Sequence, residues 1–356
     1  MSERKARWAM WSIGNIANRV IVELRESEVY DIAAVISSNK DKAQKFIDDN
    51  GLKEAVAYDN IEDVLKRDDI DIVYIASPPW LHKEQCCQVM NAGKGVLVEK
   101  PMVLCAQDAK DIFACAEKNN VFCAEGVWSN YFPNMKKMHE WIDTGRIGEP
   151  VEVISTFGFP MVELGMDRRN IDMSRWGNRL SAGGGTLLQF GCYCVNFALN
   201  VFKTAPEKIV GITERIDCKD GPDQNTAVIL TWDGGKKRAM LSCSFDARTV
   251  SESRVSGTKG EITVGTPFFA GFDAKLFTQK SPFGPDGLHW WTDLEESFHD
   301  DYKAKMREGF KYQFEAVSQY VLDGKTESPE VSHQYSIDLA TTIERIRKEI
   351  GLWDEE

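Results

Sequence analysis

The sequence predicts an α/β protein of two domains. A parallel sheet wrapped by helices comes first, and an α+β domain on a largely antiparallel, open-faced sheet follows. Three observations carry this. At 356 residues the chain exceeds what one hydrophobic core usually serves. From Arg7 to about Val127, short aliphatic runs alternate with amphipathic segments of helical length, the pattern that right-handed crossovers turn into one parallel sheet. Beyond Gly148 the apolar runs are joined by turn signals such as Asp-Gly-Gly and Gly-Thr-Lys-Gly, as in hairpins. The first domain is expected over 1–126 and the second over 127–356.

Trp8–Trp11 reads as the first strand, and an amphipathic helix runs from Gly14 through Leu24. Ile32–Ile36 is the second strand, and Lys40–Asp49 a helix that Gly51 stops. After Tyr58 comes a short helix at Ile61–Leu65, then the aliphatic strand Ile70–Ala76 and the helix Glu84–Asn91, closed by Gly93. Gly95–Val98 is a strand buried on both faces, followed by a helix over Asp108–Lys118 and a strand over Val121–Ala124. In the second part Val151–Phe159, Glu207–Ile216, Thr226–Trp232, Lys237–Phe245 and Gly260–Gly265 read as strands. Helices near Thr186–Phe202, Tyr302–Leu322 and Tyr335–Ile350 would cover one face of that sheet. The other face, with the alternating apolar residues of Ala227–Trp232 and Ala239–Phe245, is left to a partner, so a homodimer or larger homo-oligomer is expected.

Composition narrows the function. With 43 basic against 55 acidic residues the net charge is -12, a field that repels nucleic acid and anionic membranes. No apolar run of the roughly 20 residues that span a bilayer is read from the sequence. The opening MSERKARWAMW lacks the apolar core of a secretory signal, so a cytoplasmic place is expected. Nine cysteines, an odd number with no Cys-x-x-Cys spacing, read as reduced, buried thiols. The five histidines stand in no ligand-spaced motif, and no metal site is expected.

The first strand runs into Ser12-Ile13-Gly14-Asn15-Ile16-Ala17. A dinucleotide fingerprint wants Gly-x-Gly-x-x-Gly/Ala between strand and helix. Gly14 and Ala17 meet it, Ser12 departs from it, and an ordinary connection fits the turn about as well. An acid at the end of the second strand would hold a ribose 2′-hydroxyl. Ser37, Ser38, Asn39 and Lys40 stand there instead, with Lys42 close behind. Hydroxyls, an amide and cations suit a 2′-phosphate, so NADP is expected over NAD, with Asp41 opposing.

In such sheets ligands bind outside the carboxyl ends of the strands, and the run Val96–Val98 ends in Glu99, Lys100 and Pro101. A lysine at that edge can be desolvated, which lowers its pKa, while Glu99 pulls the other way. Lys100 is therefore the first candidate for moving a hydroxyl proton; a surface ion pair before a turn is the plainer alternative. The second candidate lies in Ala182–Tyr193, where Gly183, Gly184 and Gly185 let the backbone approach a ligand. Gln189 and Tyr193 are four apart and share a helix face; Tyr193 can donate a proton or simply pack. The arginine-rich run Asp167–Arg179 could anchor a polar or anionic substrate, Arg179 foremost, or remain a solvated loop.

Taken together, the chain resembles the glucose-fructose oxidoreductase and inositol dehydrogenase superfamily (Gfo/Idh/MocA type) along nearly its whole length. The resemblance runs through Ser12–Ala17, Ile75–His82, Val98–Met102, Gly145–Phe159, Ala182–Phe197 and Ser256–Val264. It implies a Rossmann domain followed by an α+β domain, and an NAD(P)-dependent oxidoreductase that transfers hydride between nicotinamide and a hydroxyl or carbonyl of a sugar, cyclitol or related diol. In the family the lysine of Glu-Lys-Pro lies beside the nicotinamide and the substrate hydroxyl, often before a cis proline, which implies catalysis by Lys100. Tyr193 matches the tyrosine of branches similar to dimeric dihydrodiol dehydrogenase and xylose dehydrogenase, and Trp128 an aromatic pocket residue of the same branches. Cofactor contacts are implied at Ser12, Gly14, Asn15, Ile16, Ser37, Ser38, Lys42, Ser77, Pro78, His82, Glu99 and Lys100, and substrate contacts at Gln189, Trp128 and Arg179. Two departures stand out: Gln189 replaces the family's aspartate, and Asn130 an arginine. Two other readings stay open, an NAD-dependent glycosidase of the same fold and a cofactor-binding sensor that has lost its chemistry.

Overall fold

The computed structural model describes residues 4–25, 27–164, 172–279, 283–284, 287–288, 292–302 and 308–353. The chain packs as two compact units, one of residues 1–131 with 307–340, the other of 132–306 with 341–356.

The first unit is built on strands β1 (Ala6–Trp11), β2 (Tyr30–Ile36), β3 (Val56–Tyr58), β4 (Ile72–Ile75), β5 (Gly95–Glu99) and β6 (Cys123–Gly126). Their order is β3-β2-β1-β4-β5-β6, and every pairing is parallel. The order reverses direction between β1 and β4, the switch point where such sheets open a crevice at the strand ends. The crossover helices are α1 (Asn15–Leu24), α2 (Lys40–Asn50), α3 (Ile61–Leu65), α4 (His82–Asn91) and α5 (Ala106–Asn119). Local chemistry sets their ends: Asn39 caps α2 by accepting the N–H groups of Asp41 and Lys42, and Gly51 stops it at φ 65°. Ile72–Ile75 and Val96–Val98 are fully buried, as two-sided coverage by helices requires.

Residues 307–340 belong to this unit, whereas the sequence expectation puts them in the second domain. The helix Phe310–Leu322 sets Phe314 against Trp8, ring centroids 4.7 Å apart, and against Tyr74 at 5.1 Å. Trp8 Nε1 donates to Ser318 Oγ at 3.0 Å. Glu23 of α1 closes the helix start by accepting the N–H of Gly309 at 2.9 Å and of Lys311 at 3.1 Å. An apolar stripe announces a buried face but not which sheet buries it, hence the difference. Tyr302 lies outside this helix, and 303–307 lie outside the described residues.

In the second unit come helix α6 (Pro133–Asp143), strand β7 (Pro150–Gly158) and helix α7 (Cys192–Phe202). Then follow β8 (Lys208–Arg215), β9 (Asp223–Trp232), β10 (Lys237–Ser244), β11 (Ser253–Gly257), β12 (Gly260–Val264) and β13 (Asp273–Thr278). A two-stranded ribbon, β14 (Phe283–Gly284) and β15 (Gly287–Leu288), precedes β16 (Asp293–His299). The eight-stranded sheet has the order β16-β13-β12-β11-β7-β10-β9-β8. Its ladders are antiparallel except β7 with β10, which is parallel. Helix α6 packs on β12 and β13, and α7 on β7 and β10. The opposite face carries a cross-strand row of Val210, Ile229, Met240 and Ile154, with Ile212 beside it 75% exposed. The uncharged stretch Leu180–Phe202 is long and apolar enough to cross a bilayer, which corrects the sequence reading, but 83% of its most apolar window is buried inside the protein as a core helix.

Candidate active site

The site begins at the turn after β1. Ser12 stands at φ 77°, a left-handed backbone where the fingerprint has glycine, and its N–H donates to Ile36 O at 3.0 Å. A Cβ in that region costs roughly 1–2 kcal/mol. Ser12→Gly is therefore expected to raise stability by about 1 kcal/mol, read as a higher melting midpoint with cofactor affinity kept. Gly14 precedes α1 in extended backbone, and no side chain caps the helix, so its first N–H groups are free to face an anion.

A cavity of about 710 Å³ opens here, within the range of cofactor sites. Of the residues expected at a cofactor, Ser12, Gly14, Ser37, Ser38, Lys42, Ser77 and Pro78 line it. Asn15, Ile16, His82, Glu99 and Lys100 do not. Asn39 is occupied instead as the cap of α2, with Asp41 N at 2.7 Å and Lys42 N at 3.3 Å, and Lys40 does not line the cavity. Lys45 does, three residues past Lys42 on the same face and paired with Asp49 at 2.7 Å. That spacing was legible in the sequence and was missed.

His82 is 1% exposed, and both ring nitrogens face backbone: Nε2 lies 2.8 Å from Ser77 O and Nδ1 2.9 Å from Met102 O. Burial pushes its pKa down, against the pull of those carbonyls. Its place is a tie between the Ser77 loop and the loop after β5, so any action on a cofactor passes through Ser77. The Ser77 hydroxyl itself donates to Gln85.

At the end of β5 the Lys100–Pro101 peptide is cis. Tyr74 OH donates to Glu99 Oε1 at 2.7 Å, and Lys100 N–H to Glu99 Oε2 at 3.1 Å. Burial pushes the Glu99 carboxyl up, while the Tyr74 hydroxyl and the Lys100 charge pull it back. On the neighbouring strand Glu125 is 4% exposed and accepts Met102 N–H at 2.9 Å. Burial pushes its carboxyl up to about 7. A raised carboxyl keeps its proton in the folded state after the unfolded chain has lost it, so stability falls as pH climbs from the ordinary carboxylate range to about 7. Glu125→Gln should flatten that loss by up to about 3 kcal/mol, measured as melting midpoints at pH 5 and pH 8. Trp128, 4% exposed, stacks on Phe310 at 4.1 Å, and the Arg19 guanidinium lies 5.8 Å from the Phe310 centroid.

The second unit holds the other group of residues. Asp223, 1% exposed, accepts from Thr186 Oγ1 at 2.6 Å, Leu187 N at 2.8 Å and Thr226 Oγ1 at 2.9 Å. These bonds secure the start of the π turn Leu187–Gly191 that leads into α7. A Cβ on Gly184 would meet Gly177 O at 2.4 Å, so close backbone passage explains that glycine. Gln189 Nε2 donates to Gly177 O at 3.0 Å, a bond the family's aspartate could not make. Tyr193 is buried beside Phe269 and Phe157, centroids at 5.2 and 6.1 Å. Arg179 is half-buried, and its Nε has no hydrogen-bond partner. Glu99, Lys100, His82 and Trp128 thus belong to one unit, and Gln189, Tyr193 and Arg179 to the other.

Comparison with known proteins agrees with this architecture. A family model described as "Oxidoreductase family, NAD-binding Rossmann fold" matches residues 6–127, and one described as "GFO/IDH/MocA C-terminal domain" matches 135–263. The chain is 30% identical over 350 residues to trans-1,2-dihydrobenzene-1,2-diol dehydrogenase of Mus musculus, covering 97% of each. It is 28% identical over 349 residues to the protein of that name from Xenopus laevis, covering 97% of this chain and 98% of that one. Among solved structures, an aldose-aldose oxidoreductase from Caulobacter crescentus complexed with glycerol superposes with a TM-score of 0.80 at 21% identity, over 97% of both chains. A 3-ketoreductase from Actinomadura kijaniata in complex with NADP and TDP-benzene gives 0.79 at 20%, over 98% of both.

Proposed function

The chain belongs to the Gfo/Idh/MocA family of NAD(P)-binding oxidoreductases, and we propose that it transfers hydride between NADP and the carbinol or carbonyl carbon of a sugar, cyclitol or vicinal diol. The observation that carries this reading is the strand end itself: Lys100 emerges beside the hydrogen-bonded pair of buried Tyr74 and half-buried Glu99 at the carboxyl edge of the parallel sheet whose switch point opens the cavity. The names of the mammalian and amphibian relatives make vicinal diols the first class to try.

The residues present fit a dinucleotide. Uncapped N–H groups at the start of α1, including those of Asn15 and Ile16, would meet the pyrophosphate. Ser37, Ser38 and Lys42 would take the 2′-phosphate, with Lys45 adding charge and Asp49 and Asp59 opposing it. Lys42→Ala is expected to weaken NADPH binding about tenfold, near 1.4 kcal/mol, and NADH binding little, in a fluorescence titration of both.

Bound NADP supplies the hydride acceptor or donor at its nicotinamide. Lys100 would take the hydroxyl proton in oxidation and return it in reduction. Tyr193 would be the second proton-handling group, with Gln189, Trp128 and Arg179 orienting substrate. Glu99 would act on Lys100 through their hydrogen bond and charges, and His82 on the cofactor through Ser77 and Pro78. The decisive experiment offers NADP and a panel of sugars and vicinal diols deuterated at the carbinol carbon. Deuterium in the isolated NADPH supports the reading; glycoside cleavage with no net NADPH would move it to the glycosidase alternative.

The row of exposed Val210 and Ile229 with half-buried Met240 supports a homo-oligomer formed across that sheet face. A monomer by light scattering at micromolar concentration would refute it. Nine free thiols and the charge of -12 support a cytoplasmic place.

A further inference from the structure

We propose that Glu125 is a positioning residue for Lys100: it holds the turn that presents the lysine and supplies the negative charge against which the lysine loses its proton. The proposal rests on the reading of Lys100 as the proton-moving group.

Strand β6 lies parallel to β5, with Glu125 opposite Val98 and Gly126 opposite Glu99. A carboxyl group in that short, fully buried strand has no packing reason to be there, since burying a charge is costly unless it is held by donors or an opposite charge. Two features of the site answer that cost. Met102 N–H, two residues past Lys100, donates to Glu125 Oε1 at 2.9 Å, so the carboxylate fastens the far side of the Lys100–Pro101–Met102 turn. Lys100 is also the cation whose charge acts on it. The other groups around Glu125 are Glu99 at the end of β5, Ser336 from the helix His333–Glu349, and the Cys123 thiol of its own strand. His333 of that helix is turned to Cys123 O at 3.1 Å.

Packing makes this cluster stiff. A Cβ on Gly126 would stand 3.0 Å from Val98 O and 3.7 Å from Glu99 Oε1, so the ends of β5 and β6 close around the Glu99 carboxylate. Tyr74 holds that carboxylate from β4. Three adjacent strands therefore bring Tyr74, Glu99 and Glu125 to the turn that carries Lys100, and two carboxyl groups border that turn rather than one. Glutamine at 125 can still accept the Met102 bond but carries no charge; alanine loses both.

The test reads Lys100 directly and needs neither cofactor nor substrate. The full-length protein is labelled with trace acetic anhydride across a pH series, and peptide mass spectrometry gives the midpoint at which Lys100 becomes reactive. Glu125→Gln is expected to lower that midpoint by about half a unit or more, because a nearby negative charge favours the ammonium form. Glu125→Ala should lower it likewise and also speed hydrogen exchange at the Met102 amide. If the alanine variant fails to fold, the glutamine variant carries the test. A midpoint in Glu125→Gln equal to that of the unchanged protein would overturn the proposal, even with a lower melting temperature, since a purely structural glutamate would give that pattern. The underlying reading fails separately, by full activity in Lys100→Ala.

Discussion

Lys100→Ala is expected to lower kcat by about 10²–10⁴-fold, the usual worth of a positioned acid–base group, while NADPH binding stays within a few-fold. The two halves of this expectation come from different parts of the structure. The cavity lined by Ser12, Gly14, Ser37, Ser38 and Lys42 does not include Lys100, so its loss leaves those contacts in place. The backbone at Lys100 is held independently of the lysine side chain, by its own N–H on Glu99 and by Met102 N–H on Glu125. Truncating the side chain thus removes the ammonium group and leaves these backbone bonds in place. Steady-state kinetics on the first substrate found, paired with the NADPH titration, check both halves. Loss of NADPH binding together with activity would mean that the lysine serves the fold of the site rather than the proton.

The largest structural effect is expected from Gly185→Ala. Gly185 stands at φ 109°, and a Cβ there would lie 1.9 Å from Asp223 Oδ1 and 3.1 Å from Asp223 N. Asp223 cannot retreat without releasing the Thr186, Leu187 and Thr226 donors, all inside a buried site. The backbone region is itself unfavourable for alanine. Strain and broken bonds together should exceed about 3 kcal/mol. The variant should melt well below the unchanged protein or accumulate as aggregate, whereas alanine at Gly51, where nothing lies within 4 Å, should cost far less. Because the segment that follows this turn carries Gln189 and Tyr193, soluble Gly185→Ala should lose turnover while still binding NADPH.

The parallel sheet was plain in the sequence because each crossover is local: β4 and the run Val96–Val98 are uncharged, fully buried stretches, and α2 carries its own cap and stop. β11, β13 and β16 were not read as strands. Ser253–Gly257 has a single large apolar residue, and Asp293–His299 is a charged edge strand, so their structure comes from ladder partners rather than from alternation. Helix α6 was missed although Pro133 opens it, a signal the sequence did contain.

In the site, the residues of the phosphate turn and of the strand ends were legible because motif spacing fixes where they fall. Phe310 against Trp128, Asp223 under the glycine run and Glu125 beside the Lys100 turn were not, because each comes from a distant segment that only tertiary packing brings near. Gln189 looked like a lost carboxylate. Its amide instead fastens the loop at Gly177, which gives the substitution a structural use and weakens the argument for a protein without chemistry.

The central claim is that the cavity at the β1 and β2 ends holds a phosphorylated dinucleotide for hydride transfer. The most direct measurement is a fluorescence titration of the purified protein, shown by mass spectrometry to carry no nucleotide, with NADPH and separately with NADH. The account predicts saturable NADPH binding at least about tenfold tighter than NADH, a difference near 1.4 kcal/mol, lost in Lys42→Ala. Saturation by neither nucleotide would contradict it.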